Sequence, residues 1–176
     1  MTLLILSDSH GRPDRIREVL ERTRPDGLLF AGDGLRDLAS CDTASPLGSL
    51  PLWAVRGNCD WMTSPVVVNG TLLIPEDEEL ITVEGIRILL MHGHTCGVKG
   101  GLGRAVARAV SRNADVLIFG HTHTPLELHL SPDRPGDFSV TKPLTVFNPG
   151  SLGDRGASFG TLTIRGGQFL LGHGTL

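Results

Sequence analysis

Leu3-Leu4-Ile5-Leu6-Ser7-Asp8-Ser9-His10 opens the chain with four aliphatic residues and closes on an acid and an imidazole. An unbroken apolar run of this length suits a strand buried on both faces, the habit of parallel sheets covered by other layers. Read as a strand over Leu3–Ser7, it delivers Asp8 and His10 to a sheet rim, where α/β folds keep their active sites. The next fifty residues agree. Pro13 suits a first helical turn, and Ile16, Val19, Leu20 and Thr23 recur at i, i+3, i+4 and i+7 among charged residues, an amphipathic helix. Gly27–Ala31 and Leu52–Val55 repeat the short apolar strand.

The middle of the chain turns strand-rich. Val66–Val68, Thr71–Ile74, Leu80–Val83 and Ile86–Met91 are β-like runs separated by Asn-Gly, Pro and Glu-Gly turn signals. A second helix fits Leu102–Arg112, with Ala105, Val106, Ala109 and Val110 as its apolar stripe. Asp115–Phe119, Leu126–Leu130, Leu144–Phe147, Ser158–Ile164 and Gln168–Leu171 read as further strands. An alternating half followed by a β-rich half predicts an α/β sandwich rather than a pure doubly wound sheet. One domain over 1–176 is expected, since no linker or repeat divides the chain.

Composition removes several function classes. At 40% hydrophobic and 20% charged, the 176 residues can bury a core and are too apolar for intrinsic disorder. Apolar runs are too short to span a bilayer, and the first residues lack the pattern of a secretory leader. A net charge of −3 argues against a dedicated nucleic-acid surface. Cys41, Cys59 and Cys96 are widely spaced and odd in number, which disfavours disulfides or a thiolate zinc site and suits reduced thiols in the cytoplasm. Apolar strands could pair two copies into a homo-oligomer, a matter that sequence leaves open.

The polar residues that carry chemistry cluster where apolar runs end: Asp8-Ser9-His10, Gly32-Asp33, Gly57-Asn58-Cys59-Asp60, His92-Gly93-His94, Gly120-His121-Thr122-His123 and Asn148-Pro149-Gly150-Ser151. Taken singly, each could be an ordinary turn. Together they assemble a mixed nitrogen and oxygen donor set that suits Mn²⁺, Fe²⁺, Zn²⁺, Co²⁺ or Ni²⁺. The set is larger than one ion needs, so a two-metal hydrolytic site is the economical reading. Gly100-Gly101-Leu102-Gly103 lacks the full phosphate-loop pattern and reads as a connection. The acidic run Glu76-Asp77-Glu78-Glu79 reads as a solvated turn, Arg56 as structural or phosphate-facing, and His129 and His173 have no assigned role. No cap insertion is recognisable, and Ala39–Leu50 is too short to form one.

This ordered motif set resembles the calcineurin-like metallophosphoesterases, nearest to their small single-domain YfcE-type phosphodiesterase branch, over about Leu3 to Ser151. The resemblance implies a fold of two mixed β-sheets packed as a sandwich and flanked by helices, αββα. It implies two divalent transition-metal ions, Mn²⁺ foremost. Asp8, His10 and His123 match the ligands of the first ion, and Asn58, His92 and His121 those of the second. Asp33 matches the bridging carboxylate. A metal-bridging hydroxide would attack the phosphate ester in line, with Asn58 and His94 contacting the phosphoryl group or assisting the leaving group.

One departure stands out. Many phosphatases of the superfamily carry histidine where Cys59 stands, and a thiol replaces it poorly as a proton donor. Phosphodiesters or activated esters are therefore expected to be better substrates than alkyl monoesters. Asp60 reads either as orienting a ligand or as a surface acid. The competing functions are a phosphomonoesterase or nucleotidase, and a non-catalytic interaction scaffold on the same fold. The intact donor set favours the enzyme, and the expected partner is a small phosphate ester.

Overall fold

The computed structural model describes residues 1–41, 48, 50–60, 65–68, 70–134, 136 and 138–176. Along these the elements run β1 (Thr2–Leu6), α1 (Pro13–Thr23), β2 (Gly27–Phe30), α2 (Leu35–Ser40), β3 (Leu52–Ala54), β4 (Val66–Val68) and β5 (Thr71–Leu73). There follow β6 (Glu78–Val83), β7 (Ile86–Met91), α3 (Gly103–Ser111), β8 (Val116–Ile118), β9 (Leu126–Leu130), β10 (Leu144–Asn148), β11 (Ser158–Arg165) and β12 (Gln168–Thr175).

Two five-stranded sheets result, ordered β12-β11-β1-β2-β3 and β6-β7-β8-β10-β9, beside a small β4-β5 hairpin. In the first, β1, β2 and β3 are parallel while β11 and β12 join antiparallel. In the second, β7, β8 and β10 are parallel and the edge strands β6 and β9 antiparallel. Both sheets are mixed, as expected.

Strand β1 shows why its run is apolar throughout. Leu4 and Leu6 pack with Ile16, Val19 and Leu20 of α1, whereas Leu3 and Ile5 pack against Ile88, Leu90, Val116 and Ile118 of the second sheet. Each of these side chains is buried, and each contributes roughly 1.5–3 kcal/mol of transfer free energy. The outer face of the second sheet, with Leu89, Met91, Leu117 and Phe119, receives Ala105, Val106 and Ala109 of α3. The layers are therefore helix, sheet, sheet, helix.

Several details differ from expectation. Strand β1 ends at Leu6, so Ser7 already belongs to the functional loop. Helix α2 has six residues, too few for a hydrophobic period to show in sequence. The acidic run is not wholly a solvated turn: Glu78 and Glu79 open β6, and the Glu78 carboxylate accepts from Arg108 of α3 and from Arg112 just after it, each at 2.6 Å. Arg56 donates to Asp77 at 2.8 Å, a structural partner rather than a phosphate. Strand β12 continues to Thr175 despite two glycines, and a Cβ at Gly174 would collide with the ring of Phe159. Asn69 of the expected Asn-Gly turn, and residues 42–47 and 49 of the Ala39–Leu50 segment, lie outside the described residues.

Candidate metal centre

The motif residues meet at one end of the sandwich, beyond the C-terminal ends of the parallel strands. The first sheet sends Asp8 and His10 after β1, Asp33 after β2, and Asn58 after β3; the second sends His92 after β7 and His121 and His123 after β8. Five of these, Asp8, His10, Asp33, His121 and His123, have left-handed backbone with φ between 42° and 67°. That conformation costs a side-chain-bearing residue roughly 1–2 kcal/mol, and its clustering marks a loop set shaped for side-chain placement.

Asp8, His10 and His123 form the first donor group. The Nε2 atoms of the two histidines are 3.2 Å apart, and both face Asp8 Oδ1, at 3.6 Å from His10 and 3.2 Å from His123. Neighbouring donors on an ion with roughly 2.0–2.2 Å bonds are spaced about 3 Å apart. Asp8 itself is fully buried; its Oδ2 accepts from Ser7 Oγ and the His121 amide, while Oδ1 has no hydrogen-bond partner among the described residues. Asp154 accepts from His123 Nδ1 at 3.1 Å and leaves Nε2 free to bind.

Asp33, His92 and His121 form a second group, with donor atoms all within 4.8 Å. His92 Nδ1 donates to the Ala31 carbonyl at 2.7 Å, so the lone pair lies on Nε2. That atom is 3.2 Å from Asn58 Oδ1 and 3.4 Å from Asp33 Oδ2. Asp33 also groups with His10 and Cys59, which puts its carboxylate between the two clusters. His94 lies beside them, its ring 5.3 Å from His92 and 6.2 Å from His121, and its buried Nδ1 has no partner among the described residues.

Electrostatics show what the hollow lacks. Asp8 and Asp33 are buried carboxylates, and among the described residues their ion-pair partners are histidines only, with no lysine or arginine. Buried anions need compensation. Hydrogen bonding to Asp8 raises the His10 pKa against the opposing effect of burial. Burial lowers that of His92, but Asp33 and Asp8 outweigh it and the net shift is upward. Burial likewise opposes ionisation of Asp33, yet His92 and the Cys59 amide hold its carboxyl well below the usual range. Burial and the His92 charge push His121 down to about 4, so its ring is neutral and can donate a lone pair. An orphaned buried oxygen, converging imidazole nitrogens and uncompensated carboxylates suit divalent cations.

Residues that sequence left unassigned hold the loops in place. Asp60 is buried, not a surface acid: Oδ2 accepts from the Asp33 and Gly57 amides at 2.7 and 3.0 Å, Oδ1 from Gly34 and Leu35, both at 3.0 Å. A Cβ on Gly57 would strike the Asp33 carboxylate, so glycine there permits the approach. Asn148 donates to the Gly120 carbonyl at 2.9 Å and to Thr122 Oγ1 at 3.1 Å, fixing the loop of His121 and His123. Ser151 Oγ donates to the Asp8 carbonyl at 3.0 Å, and Asp37 accepts from Ser9 Oγ at 2.6 Å. Of the remaining histidines, His129 lies on edge strand β9, while His173 Nε2 donates to the Asn148 carbonyl at 2.8 Å. Asp154 and Asp37 carry no motif signal, because an isolated acid in a loop looks like any other.

The calcineurin-like phosphoesterase superfamily domain is matched over residues 1–167. The chain belongs to that superfamily. Among relatives of the superfamily, the probable metallophosphoesterase YsnB of Bacillus subtilis is 34% identical over 154 residues, covering 86% of this chain and 75% of YsnB. Phosphodiesterase YfcE of Escherichia coli is 29% identical over 180 residues, covering 92% of this chain and 87% of YfcE. The crystal structure of a predicted phosphoesterase from Streptococcus pneumoniae superposes with TM-score 0.70 at 22% identity, over 99% of this chain and 88% of its own. That last likeness is one of fold. No helix among the described residues is long and apolar enough to cross a membrane.

Proposed function

We propose that this superfamily member is a phosphoester hydrolase using two divalent ions, and that its preferred substrates are phosphodiesters. The observation that carries the reading is the pair of buried carboxylates, Asp8 and Asp33, whose ion-pair partners among the described residues are histidines, with no lysine or arginine to compensate them. Asp8, His10 and His123 would hold one ion, Asn58, His92 and His121 the other, with Asp33 shared. The donor set suits Mn²⁺ first, with Ni²⁺, Fe²⁺, Zn²⁺ or Co²⁺ as alternatives. When bound, two such ions acidify a water for in-line attack on phosphorus and neutralise charge gathering on the phosphoryl oxygens.

The chain's own groups do the rest. His92 is locked in one tautomer by Ala31, and His123 by Asp154, so their Nε2 atoms are presented without reorganisation. Asn58 keeps Oδ1 toward His92 and has Nδ2 free to donate to a phosphoryl oxygen once it leaves Cys59 Sγ, 3.3 Å away. Burial, aided by the His92 charge, lowers the His94 pKa. A neutral His94 serves better as an N–H donor to the phosphate than as a proton source. Burial and Asp33 push the Cys59 thiol up to about 11, so it neither attacks nor shuttles protons at neutral pH. With no good acid for the leaving oxygen, esters with good leaving groups are favoured, and diesters above alkyl monoesters. The phosphodiesterase name of the Escherichia coli relative agrees with that preference. We place the enzyme in the cytoplasm, on the strength of its three free thiols, and treat 1–176 as one functional unit.

The test is to strip the protein with chelator, restore Mn²⁺, Ni²⁺, Zn²⁺ or Mg²⁺, and assay bis-aryl phosphodiester and aryl monoester in parallel. Metal-restored turnover, larger on the diester, is expected, and Asp33→Asn should remove most of it. No restored turnover on either substrate would turn the reading toward a non-catalytic scaffold, and a larger rate on the monoester toward a phosphomonoesterase.

A further inference from the structure

Cys59 has no place in that donor set, yet its sulfur is within 4.8 Å of both a His10 ring nitrogen and an Asp33 carboxylate oxygen, and those two are equally close to one another. The thiol is exposed to solvent, on the same turn as Asn58. A second observation lies beside it. Asp8 Oδ1 is buried and has no hydrogen-bond partner among the described residues, and it lies 3.6 Å from His10 Nε2. Two hard or borderline donors, His10 and Asp33, therefore stand within reach of one soft donor, with the Asp8 oxygen next to His10.

We infer that Cys59 Sγ is a conditional metal ligand, recruited by thiophilic ions such as Zn²⁺ and Cd²⁺ at the His10 position and left uncoordinated by Mn²⁺. The inference rests on the metal-centre reading and goes beyond it. Softness decides the difference: thiolate is a favoured partner of zinc-group ions, whereas Mn²⁺ gains most from carboxylate, carbonyl and water oxygen. On recruitment the S–H bond is replaced by an S–metal bond, and one proton leaves to solvent. Because Asn58 Nδ2 donates to Cys59 Sγ at 3.3 Å, drawing the sulfur inward also draws on the amide proposed to receive the phosphoryl group. The turn would thereby sort ions, holding soft ones tightly in a form less able to bind substrate.

Sulfur-to-cadmium charge transfer in the ultraviolet reports the bond directly, without any assay of activity. Chelator-stripped full-length protein is titrated with Cd²⁺ and, separately, with Mn²⁺ by calorimetry, in wild type, Cys59→Ser and Cys96→Ser. The band should appear in wild type and Cys96→Ser and vanish in Cys59→Ser. Cd²⁺ affinity should fall about tenfold or more in Cys59→Ser while Mn²⁺ affinity changes less than about threefold. A band that survives Cys59→Ser, or Cd²⁺ binding to wild type without a band, would overturn the inference while leaving the metal centre intact. So would an equal loss of Mn²⁺ affinity in Cys59→Ser, which would mean the turn had simply been damaged. Failure of the stripped wild type to bind either ion would sink the metal-centre reading itself, and the inference with it.

Discussion

Replacing Asp60 by asparagine tests the scaffold of the site with little change in volume. One carboxylate oxygen holds the amides of Asp33 and Gly57, the other those of Gly34 and Leu35. Asparagine keeps one oxygen and turns an NH₂ toward the other two amides, so two hydrogen bonds to a buried charge are lost and donors face donors. At roughly 1.5–3 kcal/mol for each bond to a charged group, the loss is about 4 kcal/mol. For a chain of 176 residues, with about 2–4 °C of melting temperature per kcal/mol, the fall should be about 12 °C. Scanning calorimetry on the metal-free protein measures it. Asp77→Asn is the control: its partner Arg56 is a surface ion pair of about 0–1 kcal/mol, so the shift should stay within about 3 °C. Because the same carboxylate ties the Asp33 loop to the Asn58 turn, Mn²⁺ affinity should also drop about 10–100-fold. If Asp60→Asn melts within about 3 °C of wild type, the carboxylate is not a strut between the two loops.

Other outcomes arise from the same geometry. His10 and His92 have raised pKa values in the metal-free fold, so their stabilising contribution is present below the ordinary histidine value near 6.5 and disappears as pH rises through the raised values. The melting temperature of the stripped protein should therefore fall across that window, whereas the stabilisation conferred by added Mn²⁺ should grow as protons cease to compete; the opposite trends in differential scanning fluorimetry would refute the assignment. Gly57→Ala forces a methyl group into the Asp33 carboxylate and should abolish Mn²⁺ binding by calorimetry even where circular dichroism shows the fold retained. Asn148→Ala leaves the Gly150 amide without its partner and removes one of two donors to the Gly120 carbonyl, and should cost about 1–3 kcal/mol in urea unfolding. Aryl diesters should be hydrolysed faster than alkyl monoesters, and equal rates would mean that a leaving-group acid other than Cys59 is present.

What the sequence discloses depends on which forces act locally. The strand β1 announces itself because burial on two faces demands aliphatic residues at every position, and the donors announce themselves because aspartate, asparagine and histidine recur together, in order, where apolar strands end. Asp60 is different: its role depends on four amides that converge from two loops, and no spacing within the chain encodes that meeting. Glu78 misleads for a related reason, since its neighbours Glu76, Asp77 and Glu79 suggest solvent while its partners, Arg108 on α3 and Arg112 at its C-terminal cap, stand some thirty residues away. Helix α2 escapes notice because its amide ends are satisfied by the distant Asp60 carboxylate rather than by a residue of its own first turn. Strand β12 runs longer than its composition suggests because the side chains missing at Gly174 are replaced by a neighbour's ring.

The donors arrive from both sheets, Asp8, His10, Asp33 and Asn58 from one, His92, His121 and His123 from the other. Between the sheets the contact is apolar, and apolar surfaces resist separation far better than they resist sliding. Ions held by donors from both sides would act as a rivet through two plates, stopping shear that the greasy layer alone permits. Each ion's binding energy is then spread over both sheets: at a hundred times its dissociation constant, one such ion adds about 2.7 kcal/mol to the whole sandwich rather than to a loop. Amide exchange should accordingly slow at the C-terminal ends of β1, β2, β7 and β8 together on loading, since a rivet cannot tighten one plate alone.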